Sequence, residues 1–343
     1  MNNAKAIKEI GRLIEKAENL VIVQPDNPDT DSLASALALE QILGQLGKQV
    51  RLYCGVELPT YLHYLPGFDR LDKQLPKTFD ASLIVDTASK SLLEQLDNSG
   101  QLSWLAAKPA IVLDHHATKA TISFAKVIFS PPAVATGEVI YELAKKLDWP
   151  LNLEASKLLA IAILSDSLGL ISADTTARSI HIIAELVEAG VSLAELENTR
   201  RDTLRREPEL IHYKGRLLQR VEFYHDNRIA TVTIPWAEIE TYSPFYNPSM
   251  LVLDDMRLGK GTDIAMAFKL YPEGKVTAKI RANYGYAVAD KLAEHFGGGG
   301  HPYAAGFKVT DGRRYEDIKT EAIVKAEELL KTVNEEKHGD PTP

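Results

Sequence analysis

The sequence contains a single cysteine, Cys54, among its 343 residues. One cysteine cannot form an internal disulfide, and this is typical of a reducing compartment, so we expect a cytoplasmic protein. No apolar run reaches the roughly 20 residues that span a bilayer, so we expect no membrane partner. Residues 3–17 contain acidic residues and apolar residues at helical spacing, which predicts a helix rather than a targeting peptide.

An excess of positive charge is also missing. The 39 Lys and Arg residues face 47 Asp and Glu residues, and the net charge is −8. This balance argues against a broad basic surface for long duplex nucleic acid. It leaves small phosphorylated ligands open, because bound divalent cations can reverse the local sign of a site.

Short apolar runs alternate with helical patterns in the first two hundred residues. The runs lie at residues 20–23, 50–54, 83–85 and 111–113, and each is continuous rather than alternating. Continuous runs are typical of parallel strands that are buried on both faces. Strands that alternate with helices predict an α/β fold with a doubly wound parallel sheet.

The pattern changes after residue 227, where β-rich segments predict a smaller mixed-sheet α/β domain. The arginine-rich stretch before it predicts a helical connector. We therefore expect a first domain at residues 1–205, a helical linker at 206–222, a C-terminal domain at 223–335 and a disordered tail at 336–343.

Acidic residues and histidines follow three of the predicted strands directly. They are Asp26, Asp29 and Asp31 after the first run, Asp86 after the third, and Asp114, His115 and His116 after the fourth. In open α/β sheets, ligands bind beyond the carboxyl ends of the strands. We therefore expect these side chains to converge in one crevice.

Each acidic signal also has an ordinary structural interpretation. Asp31 could cap a helix that begins at Ser32, and Asp86 could occupy a turn. Asp166 lies in an apolar helical stretch, where a buried carboxylate requires a metal or backbone donors. Together, carboxylates and imidazoles match Mn²⁺ or Mg²⁺, with Fe and Zn also open. The combination predicts a divalent metal centre, in which two ions would activate water and clamp a phosphate.

Four consecutive glycines, residues 297–300, precede His301. Glycine permits positive φ and close backbone approach, and successive N–H groups can form an anion-binding nest. The alternative is a flexible loop, but the run PYAAGF that follows is too specific for a linker. Arg281 could add a bidentate phosphate contact, although a surface role is more common for a single arginine.

Five motifs occur together: NPDTDSLAS, LIVDTAS, VLDHHATKA, LSDSLG and GGGGHPYAAGF. In this combination the sequence resembles the DHH phosphoesterase family, in the branch with a DHH-associated C-terminal domain. That branch includes nanoRNase and pAp-phosphatase proteins, and RecJ-type exonucleases are more distant relatives. The resemblance covers essentially the whole chain and implies a parallel-sheet domain that a helical linker joins to a smaller substrate-binding domain.

The resemblance also implies a role for each site residue. The implied metal ligands are Asp29, Asp31, Asp86, His115 and Asp166, with Asp86 bridging two ions. The implied catalytic residues are Asp86, His116 and Asp114. His116 would contact the scissile phosphate, and Asp114 would orient the histidines. The implied substrate-binding residues are Arg281, Gly298, Gly299, Gly300 and His301.

One position departs from the family pattern. The family usually has a histidine four residues before the first aspartate of the first motif, and this chain has Pro25 there. Proline offers no ligand atom, so Asp26, Gln24 or a water would have to complete the first metal site.

The resemblance implies an Mn²⁺-dependent phosphoesterase, with Mg²⁺ or another divalent ion as an alternative. Its expected substrates are short oligonucleotides or pAp-like nucleotides, and a homodimer is compatible with the chain. One alternative is a phosphodiesterase for cyclic or linear dinucleotides. Another is a non-catalytic nucleotide-binding protein that is weakened at the first metal site. A family II pyrophosphatase is less favoured, because the glycine-rich signature belongs to the other type of C-terminal domain.

Overall fold

The computed structural model describes residues 2–117 and 119–338. The chain divides into two compact units, Met1–Arg205 and Arg206–Pro343. Within the described residues, no helix combines the length and the apolar character that crossing a membrane requires.

The first unit is built on a six-stranded sheet in which every neighbouring pair is parallel. Its strands are β1 (Asn19–Val23), β2 (Gln49–Tyr53), β3 (Leu71–Asp72), β4 (Ala81–Val85), β5 (Ala110–Leu113) and β6 (Val127–Phe129). They lie in the order β3-β2-β1-β4-β5-β6. The parallel sheet confirms the prediction, although the sequence pattern did not reveal the two short edge strands β3 and β6.

Helices cover both faces of this sheet. They are α1 (Asn3–Lys16), α2 (Thr30–Gln45), α3 (Glu94–Asn98), α4 (Leu102–Ala106), α5 (Thr136–Lys146), α6 (Leu153–Asp166), α7 (Ala177–Glu188) and α8 (Leu193–Leu204). Along β1, Leu20 and Ile22 join one apolar core with α2 and α6, whereas Val21 and Val23 join another with α3 and α4. Two cores on opposite faces explain why the strand sequences are apolar throughout, and they confirm a doubly wound sheet.

The strand order places the acidic loops next to one another. The order reverses between β1 and β4, and a crevice forms at such a switch point beyond the carboxyl ends of the strands. Because β1, β4 and β5 are adjacent, the loops that follow them open at the same edge of the sheet.

The start of α2 corrects one prediction. Asp29, not Asp31, caps this helix: its side chain accepts the N–H of Ser32, and the Ser32 hydroxyl accepts the N–H of Asp29. This reciprocal pair is a capping box. The helix therefore begins at Thr30, and Asp31 lies in its first turn with a fully buried side chain.

The second unit contains a mixed six-stranded sheet, as predicted. Its strands are β7 (Glu222–Tyr224), β8 (Ile229–Ile234), β9 (Ile264–Leu270), β10 (Val276–Ala282), β11 (Gly299–His301) and β12 (Ala304–Val309). The order is β11-β12-β10-β9-β8-β7, with β8 and β9 parallel and the other neighbours antiparallel.

Five helices pack on the two faces of this sheet. They are α9 (Pro208–Gln219), α10 (Trp236–Tyr242), α11 (Pro248–Arg257), α12 (Ala289–His295) and α13 (Tyr315–His338). Helices α12 and α13 share a core with Met266, Phe268 and Ile280, and this side of the sheet is called the inner face below. Helices α9, α10 and α11 cover the opposite, outer face over β8 and β9.

Two predicted boundaries differ from the structure. Helix α9 falls within the predicted linker, but Leu210, Tyr213 and Leu217 bury it in the core of the second unit. Helix α13 continues through His338, so residues 336–338 of the predicted tail are helical. Residues 339–343 lie outside the described residues.

Candidate metal centre and active site

The loop after β5 fixes the two adjacent histidines. Asp114 is fully buried, and its Oδ1 accepts the backbone N–H groups of His115 at 2.9 Å and His116 at 3.2 Å. The same oxygen accepts Nδ1 of His116 at 2.7 Å. Burial alone would raise the pKa of Asp114, but the hydrogen bonds from His116 lower it overall. The Asp114 carboxylate in turn raises the pKa of His116 and holds its ring in one orientation.

The ring of His115 faces three carboxylates. Its Nδ1 donates to the carbonyl of Ala133 at 3.3 Å, and its buried Nε2 has no hydrogen-bond partner among the described residues. That Nε2 lies 3.5 Å from Oδ1 of Asp86, 3.5 Å from Oδ2 of Asp166 and 3.7 Å from Oδ2 of Asp31. Burial would lower the pKa of His115, but these carboxylates raise it to about 9.

Asp31 is held by the start of α5, a helix more than one hundred residues further along the chain. Its carboxylate accepts the N–H of Thr136 at 2.7 Å, the N–H of Gly137 at 3.1 Å and the hydroxyl of Ser35 at 3.0 Å. These donors orient the carboxylate, but burial and the charges of Asp86 and Asp166 raise its pKa well above the usual value. A bound cation would stabilise the ionised Asp31 carboxylate and so offset both the burial and the repulsion.

Asp86 directly follows β4 and has a positive φ of 59°. Aspartate tolerates this left-handed region better than most non-glycine residues, and the conformation turns the chain sharply at the end of the strand. The Thr136 hydroxyl donates to Oδ1 of Asp86 at 2.9 Å. Thr136 therefore orients two carboxylates, Asp31 through its backbone and Asp86 through its side chain.

The remaining two carboxylates come from opposite ends of helices. Asp29 is the N-cap of α2, and Asp166 is the last residue of α6. Burial and the charge of Asp86 raise the pKa of Asp29. Burial, together with the charges of Asp29 and Asp86, raises the pKa of Asp166 to about 6. Carboxylates from three segments thus repel one another in one crevice.

The donor atoms fit a divalent cation. One ligand atom each from Asp86, His115 and His116 lie within 4.8 Å of one another, and so do atoms from Asp31, His115 and Asp166. Nε2 of His115 is buried between these carboxylates, and residues 2–117 and 119–338 give it no hydrogen-bond partner. Its other nitrogen is fixed by a carbonyl, the arrangement in which metal-bound histidines usually occur. Asp29 is in neither group.

Gln24 and Asp26, the neighbours of Pro25, are the two side chains that could replace the family histidine, and they have different hydrogen-bond partners. Pro25 itself is buried. The Asp26 carboxylate accepts the N–H of Gln95 at 2.9 Å, at the start of α3. Gln24 is fully buried, and it donates from Nε2 to the carbonyl of Ser32 at 3.0 Å while its Oε1 has no partner. Within the described residues, Gln24 therefore has a buried oxygen without a partner, whereas one oxygen of Asp26 accepts a backbone N–H of α3.

Arg281 and His301 share one row of the second sheet. Arg281 on β10 lies opposite Ala304 on β12, which lies opposite His301 on β11. Directly opposite residues project to the same face, so both side chains belong to the outer face, at a backbone separation of roughly 10 Å. Arg281 donates to the carbonyl of Ile280 at 3.0 Å.

The glycine run differs from the predicted anion nest. The N–H of Gly297 donates to the carbonyl of Glu294 at 2.9 Å, and that of Gly298 donates to Ala293 at 2.8 Å. These two groups close the end of α12, so their N–H groups already have acceptors within the chain. Gly298 must be glycine because a Cβ there would lie 2.3 Å from the Gly306 carbonyl oxygen. Gly300 has a φ of +146° and approaches Ala305 closely, which again requires glycine.

Thr136 was not predicted, and its contacts give a testable role in positioning. Removal of the hydroxyl by Thr136→Val should weaken metal binding or activity by about 10- to 100-fold, because Asp86 loses its donor. Thr136→Ser should restore most of the loss, since it restores the hydroxyl without the methyl group. Metal titration of the three proteins measures the effect. Equal affinities for all three would show that the hydroxyl does not position Asp86.

Comparisons with known proteins identify a family domain in the first unit and two relatives along most of the chain. Residues 19–163 match the DHH family, N-terminal domain. The chain is 28% identical over 284 residues to the bifunctional oligoribonuclease and PAP phosphatase NrnA of Thermus thermophilus, with 82% of this chain and 81% of the relative covered. It is 24% identical over 308 residues to the Bacillus subtilis protein of the same name, with 88% and 92% covered.

A solved structure shows the same fold. An exopolyphosphatase-related protein from Bacteroides fragilis superposes with a TM-score of 0.77 over 96% of this chain and 100% of its own length, at 20% identity. The DHH domain match and the relatives named as oligoribonuclease and PAP phosphatase identify a hydrolase of the phosphoesterase class. Residues 19–163 therefore form a domain of the DHH family.

Proposed function

We propose that this enzyme uses two divalent cations to hydrolyse short oligonucleotides and pAp-like nucleotides, and that Mn²⁺ is the preferred ion. The observation that carries the proposal is the buried Nε2 of His115, which lies between three carboxylates and has no hydrogen-bond partner in the described part of the chain. The names of the Thermus and Bacillus relatives support the substrate class. Oxygen and imidazole donors together suit Mn²⁺, and Mg²⁺ could replace it.

Five side chains would hold the cations: Asp29, Asp31, Asp86, His115 and Asp166. When bound, the cations supply Lewis acidity and an activated water for in-line attack on phosphorus. Asp86 would bridge the two ions, because its charge acts on the carboxylates of Asp29, Asp31 and Asp166 alike. Gln24 Oε1 could complete the first site in place of the family histidine.

His116 is placed to act on the substrate. Its Nδ1 donates to Asp114, which leaves Nε2 free, and the side chain is 48% exposed. Because the Asp114 carboxylate raises the pKa of His116, the ring carries a proton at lower cost near neutral pH. A protonated Nε2 can donate to a phosphate oxygen or to the leaving group.

The second unit would hold the terminal nucleotide. Arg281 has no carboxylate partner among the described residues, so its remaining N–H groups can donate to a phosphate. His301 is exposed on the same row, and Gly299 and Gly300 leave the backbone beside it accessible. We further propose that the enzyme is cytoplasmic, because its cysteine, Cys54, is free and buried. We also propose that it assembles as a homodimer.

A substrate panel tests this function. Purified protein with Mn²⁺ should release mononucleotide or phosphate from a short oligonucleotide and from pAp. His301→Ala should raise KM for both by about tenfold or more while metal content is unchanged, because His301 lies in the second unit. A clear preference for cyclic or linear dinucleotides would replace the substrate assignment. Binding of nucleotides without any turnover would identify the non-catalytic alternative.

A further inference from the structure

The first turn of α5 is fixed by contacts outside the helix. Ala135, the N-cap residue, has no polar side chain that could cap the helix. The N–H groups of Thr136 and Gly137 donate instead to Asp31, which takes the place of the missing cap. Gly137 also brings α5 close to α6, since a Cβ there would lie 2.5 Å from the Cβ of Ala162. The segment that leads into α5 is therefore held in one position.

A single peptide group links this segment to the proposed metal centre. It joins Ala133 to Val134 and is trans. Its carbonyl oxygen accepts Nδ1 of His115 at 3.3 Å, and its N–H donates to Oε2 of Glu138 at 3.4 Å. Because a trans peptide is planar, its C=O and N–H point in opposite directions, and a partner that holds one end aligns the other. Glu138 therefore acts on the His115 ring through one rigid unit.

Glu138 is itself buried and fixed. Its residue surface is 5% exposed, and the hydroxyl of Ser179, in the first turn of α7, donates to the same Oε2 at 2.7 Å. No Lys, Arg or His among the described residues forms an ion pair with Glu138. A buried carboxylate without a cation is costly unless hydrogen-bond donors satisfy it. Oε2 therefore depends on Ser179 and Val134, and the Val134 N–H depends on Oε2 in turn.

We propose that Glu138 is a positioning residue of the metal centre, and that it acts on His115 through the Ala133–Val134 peptide. This inference rests on the proposed function, in which Nε2 of His115 binds a cation. A metal-bound histidine usually donates its second ring nitrogen to a carboxylate or a carbonyl, which fixes the ring and raises the basicity of the ligand. Here a carboxylate stands behind the carbonyl, and hydrogen bonds in such a chain polarise one another. Glu138 thereby makes Nε2 a better ligand without touching the ring.

The contacts at the start of α5 divide the work between two residues. Thr136 orients the carboxylates of Asp31 and Asp86, whereas Glu138 acts on the imidazole of His115. A change at Glu138 should therefore weaken the cation that binds His115 more than its neighbour.

Titration of the full-length protein with Mn²⁺, followed by electron paramagnetic resonance, tests the proposal. Glu138→Met removes the acceptor but keeps an unbranched side chain that suits a buried site. It should weaken the Mn²⁺ ion at His115 by about 10- to 100-fold, because the peptide that holds the ring is released. Glu138→Gln should restore most of this affinity, since its amide oxygen can accept both the Val134 N–H and the Ser179 hydroxyl.

A double-mutant cycle separates positioning from a general effect on the fold. In a His115→Ala background, Glu138→Met should cost no further Mn²⁺ affinity, because the ring through which it acts is gone. Equal losses with and without the ring would overturn the inference, as would wild-type affinity in Glu138→Met. Thermal unfolding in a chelator verifies that each variant folds. If the methionine variant does not fold, Glu138→Asp gives the same test, since it keeps the charge but is one methylene too short for the Val134 N–H.

Glu142→Met is the matched control. Glu142 lies one turn further along α5 and also contacts α7, but its carboxylate pairs with Arg178 and Lys146. The same substitution there should leave the Mn²⁺ affinity unchanged, and a tenfold loss would overturn the assignment to Glu138. Metal binding does not require turnover. A protein that hydrolyses nothing but whose affinity follows Glu138 would refute the proposed hydrolysis alone, and an active enzyme whose affinity ignores Glu138 would refute this inference alone.

Discussion

Asp86→Asn should lower kcat by roughly a thousandfold or more, which corresponds to about 4 kcal/mol of transition-state stabilisation. Asparagine has nearly the same shape, tolerates the positive φ at this position and can still accept the Thr136 hydroxyl. The variant therefore removes the charge of the proposed bridging ligand with little change in the backbone. Steady-state kinetics at saturating Mn²⁺ measure the loss.

The same variant should stabilise the metal-free protein. The charge of Asp86 raises the pKa values of Asp29, Asp31 and Asp166, so its removal relieves repulsion in the crevice. We expect a higher Tm in a chelator together with lower activity in Mn²⁺. A residue that merely supports the fold would lose both.

Asp26→Asn is the matched control for this experiment. Asp26 lies in the same group of loops, and burial also raises its pKa, but its carboxylate contacts Gln95 at the start of α3. We expect less than about a threefold change in kcat, because a side chain that does not touch the metal or the substrate changes the barrier little. More than a tenth of wild-type activity in Asp86→Asn would contradict a bridging role.

The convergence of the acids was predictable because it follows from topology. Parallel strands end at the same edge of a sheet, so Asp86 and His115 could be assigned to one crevice before their distance was known. The N-cap was not assigned correctly, because Asp29 and Asp31 are both good caps and the sequence does not give the first residue of the helix. Reciprocal hydrogen bonds between Asp29 and Ser32 decide it.

Thr136 could not be predicted for a different reason. It contacts Asp31 and Asp86 only because α5 begins beside two strands that are distant in sequence, and a single Thr-Gly pair has no periodicity. The interruption between α8, which ends at Leu204, and α9, by contrast, had a sequence signal. Pro208 occupies the first turn of α9, where proline is favoured. The helical pattern of the arginine-rich stretch outweighed that signal and produced the predicted linker at residues 206–222.

The glycine run shows the limit of a composition argument. Four glycines permit an anion nest, but they equally permit close packing of a strand against its neighbour. In the structure, Gly298 gives its N–H to α12 and lies against Gly306, so packing explains its lack of a side chain. The sequence alone contains no information that separates these two uses.

The difference in stability between the metal-bound and the metal-free protein should grow with pH. Three carboxylates raise the pKa of His115 to about 9, so the metal-free protein keeps this ring protonated at pH 7. A cation requires neutral Nε2, and binding must therefore release a proton. The raised pKa also means that His115 stabilises the metal-free fold below its ordinary pKa of 6.5, and that this contribution is lost as pH rises through about 9.

The carboxylates act in the same direction. Asp166 has a pKa raised to about 6, and that of Asp31 is raised well above its usual value, so ionisation of both destabilises the metal-free fold as pH rises. From pH 6 to pH 9 we expect Mn²⁺ affinity to increase by roughly two to three orders of magnitude, or about 3 to 4 kcal/mol. The Tm difference between protein in Mn²⁺ and in chelator should widen by about 10 °C over that range. Calorimetry at pH 7 in two buffers of different ionisation enthalpy should detect about one proton released on Mn²⁺ binding. A constant Tm difference without proton release would mean that His115 is not a metal ligand.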